Sequence, residues 1–275
     1  MKQLFSIVTL LLLGFNASAS TLVQFRTVFG DLDVELYDQD KPATVQNFIR
    51  YVRSGLYQDG IIHRCVPTFV IQGGGYYVAN RHTTNAGIAA IATFPPITNE
   101  FGIGKTYSNV YGTIAMAKRG GDTNSASSQW FFNLTNNAFL DAGPDGFFTV
   151  FGKVVRGTNV LNVFKKFKAS SPTNTIVSIG GPLTELPVLR TNLTYDDLIY
   201  VDVSLLNVQV TQLANRTHQI SWNSVAGRTN YVEFTTNLPP TWRSLLATNG
   251  TGNPISVVDP TADLPKRFYR VRVNY

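Results

Sequence analysis

Residues 128–134 read Ser128-Gln129-Trp130-Phe131-Phe132-Asn133-Leu134. In a strand, successive side chains point to opposite faces. Gln129, Phe131 and Asn133 therefore share one face, and Trp130, Phe132 and Leu134 share the other. Outward from this run, residues 112–117 and 147–155 are apolar enough for two further strands. Upstream lies Ile62-His63-Arg64-Cys65-Val66-Pro67-Thr68-Phe69-Val70-Ile71-Gln72-Gly73-Gly74-Gly75, an apolar run broken at His63-Arg64 and Pro67 and ended by three glycines. Residues 22–29 alternate, Gly30-Asp31 is a turn signal, and Leu32, Val34 and Leu36 alternate again, which predicts a hairpin. Residues 198–206 form a closing strand.

Two helices interrupt this pattern. Pro42 opens the first, where its missing N–H does no harm; Val45, Phe48, Ile49 and Val52 share a face, and Gly55 stops it. Thr158 caps the second, in which Val160, Val163, Phe164 and Phe167 share a face. Residues 76–110 and the stretch before residue 198 are loop-rich. Many strands, two helices and no regular strand–helix alternation predict a mainly β fold, a closed antiparallel barrel rather than a parallel α/β sheet.

Composition shifts near Asn207. Beyond it come strand-like runs at 219–222, 230–234 and 267–273, with turn signals at Gly227, Pro239-Pro240 and Asn249-Gly250. Residues 208–275 are expected to form a small β-sandwich-like module, following a domain at 20–207. At the other end, Lys2, an apolar run over 5–15 and Ala17-Ser18-Ala19 make a signal peptide over residues 1–19, cut after Ala19. Its apolar run is too short to span about 30 Å of hydrocarbon. The chain is thus expected to be exported to the periplasm or the medium, with no membrane contact after cleavage.

Several chemistries are disfavoured by what is present. Three histidines (63, 82, 218) and one cysteine, Cys65, are too few and too scattered for a metal site, and a lone cysteine forms no internal disulfide. Cys65 sits in an apolar strand and reads as a buried inert thiol. Gly102-Ile103-Gly104-Lys105-Thr106 resembles the end of a phosphate loop, but Asn99 stands where its first glycine belongs. The formal charge of +6 is scattered, with its densest group at Lys165, Lys166 and Lys168 reading as a solvated helix face, so nucleic acid is not an expected partner. The sequons at Asn133, Asn192, Asn215 and Asn249 match chance in an Asn/Thr-rich chain.

The 62–75 run, Gly112-Thr113-Ile114-Ala115-Met116-Ala117-Lys118, the 128–133 strand, Asn137-Ala138-Phe139-Leu140-Asp141 and Val150-Phe151-Gly152-Lys153-Val154 occur in an order that resembles the cyclophilin family. The likeness is closest to its bacterial exported members and spans about residues 21–206; Pro95-Pro96-Ile97-Thr98-Asn99-Glu100 also looks like the bacterial form. The resemblance implies an eight-stranded antiparallel barrel capped by two helices and a peptidyl-prolyl cis-trans isomerase that needs no cofactor. Side chains fill the interior of a barrel this size, so its ligand site lies on the outer face. The Gln129/Phe131 face is then the site and the Trp130/Phe132 face the core.

By position, the resemblance implies that Arg64 is the catalytic arginine. Phe69, Phe131 and Leu140 match the pocket for the proline ring, with Val70 where many members have Met. Gln72 and Gln129 match groups that hold the peptide backbone, and Ala117 and Lys118 match the edge that pairs with substrate. Phe139 stands where many eukaryotic members have tryptophan, which implies weaker cyclosporin binding than theirs. Phe148 stands where a His or Tyr usually lines the pocket, beside an insertion at 143–147. His63 reads as structural. Ile62, Thr68 and Trp130 depart from the usual Phe, Gly and Phe. The expected partners are proline-containing peptides and unfolded exported proteins, met by a monomer. Two other classes compete: a holdase that binds proline peptides without turnover, and a surface-adhesion protein driven by the C-terminal module.

Overall fold

The computed structural model describes residues 21–191, 193–206, 208–224, 229–237, 240–251, 254–261 and 266–274. The signal peptide, the Asn192 sequon, the Asn207 boundary and the turn residues Gly227 and Pro239 lie outside the described residues. The elements run β1 (Leu22–Thr27), β2 (Gly30–Leu36), α1 (Pro42–Arg53), β3 (Gly60–Ile61), β4 (Arg64–Val66), β5 (Val70–Gly73), β6 (Tyr76–Ala79) and β7 (Gly87–Ala90). They continue with β8 (Thr113–Met116), β9 (Trp130–Asn133), β10 (Val150–Arg156), α2 (Thr158–Phe164), β11 (Lys168–Ala169), β12 (Thr173–Val177), β13 (Leu186–Arg190) and β14 (Tyr200–Leu205).

Among the described residues the fold is mainly β with two α-helices, but the expected closed eight-stranded barrel is not what forms. The main sheet has eleven strands in the order β4-β5-β9-β8-β10-β2-β1-β14-β3-β6-β7, curled but open, with no ladder among the described residues joining its ends. The reason lies at Ile62-His63, where one strand run divides. Ile62 N–H still reaches the Ile199 carbonyl at 2.9 Å, while His63 N–H turns to the Gln72 carbonyl at 3.1 Å. Single hydrogen bonds bridge the gap where a closed barrel would have a ladder.

Local chemistry explains the elements. Pro42 stands in the first turn of α1, as expected, and the helix buries Val45, Phe48 and Tyr51. Its N-terminal amides are capped by a distant side chain: Ala43 and Thr44 donate to the Glu100 carboxylate at 3.0 and 2.7 Å. At α2 the expected Thr158 cap is replaced. Thr158 is the first helical residue, and the cap position falls on Gly157 at φ 88°, a left-handed conformation that favours glycine. The first hairpin turns at Val28-Phe29 rather than Gly30-Asp31, and Gly30, at φ 119°, opens β2. The stretch expected to be irregular holds a three-stranded sheet, β11-β12-β13.

The alternation in β9 sorts its residues into two clusters. Trp130, Phe132 and Leu134 join Phe25, Phe48 and Phe151 in the main core. Phe25 meets Trp130 and Phe132 edge-on at 4.9 and 5.0 Å, a favoured aromatic geometry. Phe131 belongs instead to a separate cluster with Val70, Ala115, Leu140 and Val150. Gly73 lies against the Trp130 ring, where a Cβ would stand only 2.5 Å from it; this close approach is one reason for the glycine run. Asn133 is fully buried and hydrogen-bonds Asn109, Thr113 and Asn137, so its sequon is not accessible.

The C-terminal strands are β15 (Val208–Gln212), β16 (His218–Asn223), β17 (Thr229–Thr235), β18 (Arg243–Asn249), β19 (Pro254–Asp259) and β20 (Phe268–Asn274). They pair as two sheets, β15-β16-β19 and β18-β17-β20. Ile220, Trp222 and Val232 form their own core cluster, and Trp222 Nε1 donates to Asn230 Oδ1 at 3.0 Å. Asp259 is fully buried and accepts from Thr261, Arg267 and Tyr269.

Candidate active site

Strand pairing brings the candidate residues together. Arg64 on β4 lies opposite Gln72 on β5, Gln72 lies opposite Phe131 on β9, and Phe131 lies opposite Ala115 on β8. Four adjacent strands thus present Arg64, Gln72, Phe131 and Ala115 in one row across the sheet. The remaining walls come from loops. Phe69 ends the tight turn before β5, its N–H bonded to the Val66 carbonyl. Leu140 sits on a single 3-10 turn over residues 138–141. The Phe148 N–H reaches back to the Leu140 carbonyl at 3.1 Å, so the 143–147 insertion closes on itself and returns Phe148 to the site.

Arg64, Phe69, Val70, Gln72, Ala117, Lys118, Phe131, Leu140 and Phe148 line one concavity of about 180 Å³. Its floor is apolar, since Val70, Phe131 and Leu140 are all buried. Phe148 meets Phe131 edge-on at 5.6 Å, and the Lys118 ammonium stands 4.4 Å from the Phe148 ring centroid. The guanidinium of Arg64 is the cationic wall, 5.7 Å from the Phe69 ring. Gln129 lines a neighbouring concavity of about 420 Å³, which shares Gln72, Ala117 and Lys118 with the first. The two amides meet: Gln72 Nε2 donates to Gln129 Oε1 at 2.7 Å. Phe139 lies outside both concavities; it is exposed and stacks on Phe69 at 5.6 Å.

Burial decides the titration of the groups behind the site. His63 is 3% exposed, and desolvation lowers its imidazole to about 4. Hydrogen bonds to Gln129 and to the Ile61 backbone oppose that shift, and Arg64 adds to it. A neutral imidazole at physiological pH therefore sits behind Gln129, which suits a structural role. Burial pushes the Cys65 thiol up to about 12, with Glu185 raising it further and Arg64 opposing. Such a thiol is protonated and unreactive.

Some supporting residues carry no motif. Asp141 accepts from the Asn109 backbone N–H and side chain at 3.0 and 2.7 Å, and also from Ser108, which holds the turn bearing Leu140. Asn137 Nδ2 donates to the Phe69 carbonyl at 3.0 Å and links that turn to β5. Thr93, Phe94, Pro96, Arg119, Ser125 and Ser127 complete the larger concavity. Glu185 is bonded to Arg64 from 121 positions away. The 137–141 motif and the bacterial-type segment at 95–100 pointed to part of this shell; Thr93, Phe94, Arg119, Ser125, Ser127 and Glu185 had no signal in the sequence. No group of three or more His, Cys, Asp or Glu that could hold a metal occurs among the described residues.

A family model of cyclophilin type peptidyl-prolyl cis-trans isomerases matches residues 22–180. The chain is 42% identical over 150 residues to peptidyl-prolyl cis-trans isomerase A of Dickeya dadantii, covering 54% of this chain and 73% of that protein. It is 38% identical over 166 residues to a peptidyl-prolyl cis-trans isomerase of Acinetobacter baylyi, covering 60% of this chain and 80% of that one. Among solved structures, a cyclophilin type peptidyl-prolyl cis-trans isomerase of Cryptosporidium parvum aligns over 68% of this chain and 98% of its own, at 23% identity and a TM-score of 0.45. With more than half of its length matched by the family model, and with curated relatives named for the activity, the chain belongs to the cyclophilin-type peptidyl-prolyl cis-trans isomerases.

Proposed function

We propose that this isomerase turns Xaa-Pro bonds of exported proteins, with Arg64 as the catalytic donor and Phe69, Val70, Phe131, Leu140 and Phe148 as the proline pocket. One observation carries the reading: a charged guanidinium stands in the wall of a small, open concavity with a buried apolar floor, beside two side-chain amides bonded to each other. Amide resonance puts a barrier of about 18–20 kcal/mol on the prolyl bond. Rotation needs no nucleophile and no cofactor, only a site that fits the twisted amide better than the planar one. As the bond twists, the proline nitrogen becomes pyramidal and regains a lone pair. A guanidinium N–H can donate to that lone pair and gains little from the planar form. The apolar pocket grips the ring, and Gln72 and Gln129 hold the neighbouring backbone, so one side rotates against the other. Bringing the reaction from tens of seconds to milliseconds lowers the barrier by about 6 kcal/mol.

The wider assignment rests on sequence pattern and on the separate cores. Residues 1–19 direct export and are removed, residues 20–207 form the isomerase domain, and residues 208–275 form an added β module. The mature chain acts as a monomer on unfolded exported proteins. One experiment tests site and export together. Protein recovered from the periplasm or medium begins at Ser20 and accelerates isomerisation of a proline test peptide, while Arg64→Ala lowers kcat/KM by about 100-fold or more. Equal rates for the two proteins would remove Arg64 from catalysis. An uncut chain in the cytoplasm would remove export.

A further inference from the structure

Arg64 is held by a carboxylate from far along the chain. Its Nε donates to Glu185 Oε2 at 2.6 Å, with the two side chains 34% and 40% exposed. Glu185 lies beyond residues 22–180, the segment the family model matches. It is nevertheless tied to the catalytic strand itself, because the Cys65 N–H donates to the Glu185 carbonyl at 2.8 Å. β4 is the last strand of the main sheet, with β5 on one side, and its other side receives this segment. Leu183 and Leu186, two residues before and one after, are buried in a cluster with Ile61, Val78, Val188 and Leu198. The carboxylate is therefore delivered by a firmly seated backbone.

We infer that Glu185 is a positioning residue for Arg64: by locking Nε it aims the two terminal amino groups of the guanidinium at the rotating peptide bond. The guanidinium is planar, so fixing Nε fixes the direction of every donor on it. Among the described residues the terminal nitrogens have no protein partner, which leaves them to substrate. A long side chain that is one-third exposed would otherwise spread over several rotamers, and catalysis requires the donor to be aimed before the amide twists. Arginine stays charged whether or not it is paired, so the carboxylate settles its direction without removing its ability to donate. The segment is held by other contacts besides the pair: the main-chain bond from Cys65 and the buried side chains of Leu183 and Leu186.

This inference rests on Arg64 being the catalytic donor, and the test separates the two claims. Catalysed exchange of an Ala-Pro tetrapeptide is followed by NMR, giving kcat and KM, for wild type, Glu185→Ala, Glu185→Gln and Arg64→Ala. Glu185→Ala is expected to lower kcat roughly three- to tenfold with KM changed less than about twofold. Glu185→Gln, which keeps an acceptor oxygen facing Nε, is expected to retain at least about half of the wild-type kcat. The positioning role is overturned if Glu185→Ala turns over at the wild-type rate, or if its KM rises as much as its kcat falls. A wild-type rate in Arg64→Ala would overturn the catalytic reading beneath it. Loss in Arg64→Ala with full activity in Glu185→Ala would remove the positioning role alone.

Discussion

Phe131 and Phe132 are neighbours in the chain, both nearly inaccessible, and they serve different ends because a strand alternates. Phe132 packs edge-on against Phe25 in the main core. Phe131 faces the concavity with Leu140 and Phe148. Phe132→Ala should cost about 3–5 kcal/mol of stability, read by denaturant unfolding. Phe131→Ala should weaken peptide binding by roughly tenfold or more, read as a rise in KM. Similar stability losses with no change in KM would place Phe131 in the core instead. His63 supplies a pH dependence. Its folded value of about 4 lies below the ordinary imidazole value of 6.5, chiefly through burial. The unfolded chain therefore takes up a proton that the folded chain refuses. The stability gained from the neutral form is complete above pH 6.5 and is lost as pH falls through about 4. The loss is on the order of 3 kcal/mol. Comparing unfolding free energies of wild type and His63→Gln from pH 7 to pH 4 isolates it, and parallel curves would show that His63 titrates normally.

At the scale of elements, the 95–100 segment works as a clasp between α1 and the loops around the site. Glu100, 6% exposed, caps α1 through the Ala43 and Thr44 amides. Lys41, just before the helix, donates its ammonium to the Glu100 and Phe101 carbonyls at 2.8 and 3.2 Å, and also to that of Ile103. Asn99 accepts from Thr149 Oγ1 and donates to the Thr123 and Phe147 carbonyls, binding the site loops to the same clasp. A carboxylate at a helix N-terminus satisfies orphan amides and meets the positive end of the helix dipole. Glu100→Ala is expected to destabilise the protein by about 1–2 kcal/mol and to speed hydrogen exchange at Ala43 and Thr44. Unchanged exchange at those two amides would show that α1 is capped by other means. The motif at 95–100 could be seen in the sequence. That it caps a helix 56 residues upstream could not, because the contact between Thr44 and Glu100 is made by folding alone.

At the scale of the molecule, the two C-terminal sheets enclose their own apolar cluster around Ile220, Trp222 and Val232. A segment with its own core can fold by itself. A chain ending at residue 207 should therefore keep isomerase activity within about twofold of the full chain, assayed on the same peptide. A large loss would make the module part of the enzyme. The sequence by itself determined what depends on local periodicity and on residue identity. These are the two faces of β9, the helix opened by Pro42, a mainly β architecture and the family to which residues 22–180 belong. Alternation is a property of a few consecutive residues, so it survives without knowledge of the rest of the chain. Only the tertiary structure decided how the strands close. The division of β3 from β4 at Ile62-His63 turns the expected barrel into an open curled sheet, because backbone hydrogen bonds choose partners between strands distant in sequence. It also decided the Glu100 cap, and the carboxylate that meets Arg64 from 121 residues away. A charged pair depends on distance in space, and one sequence position carries no mark of which distant residue will stand beside it.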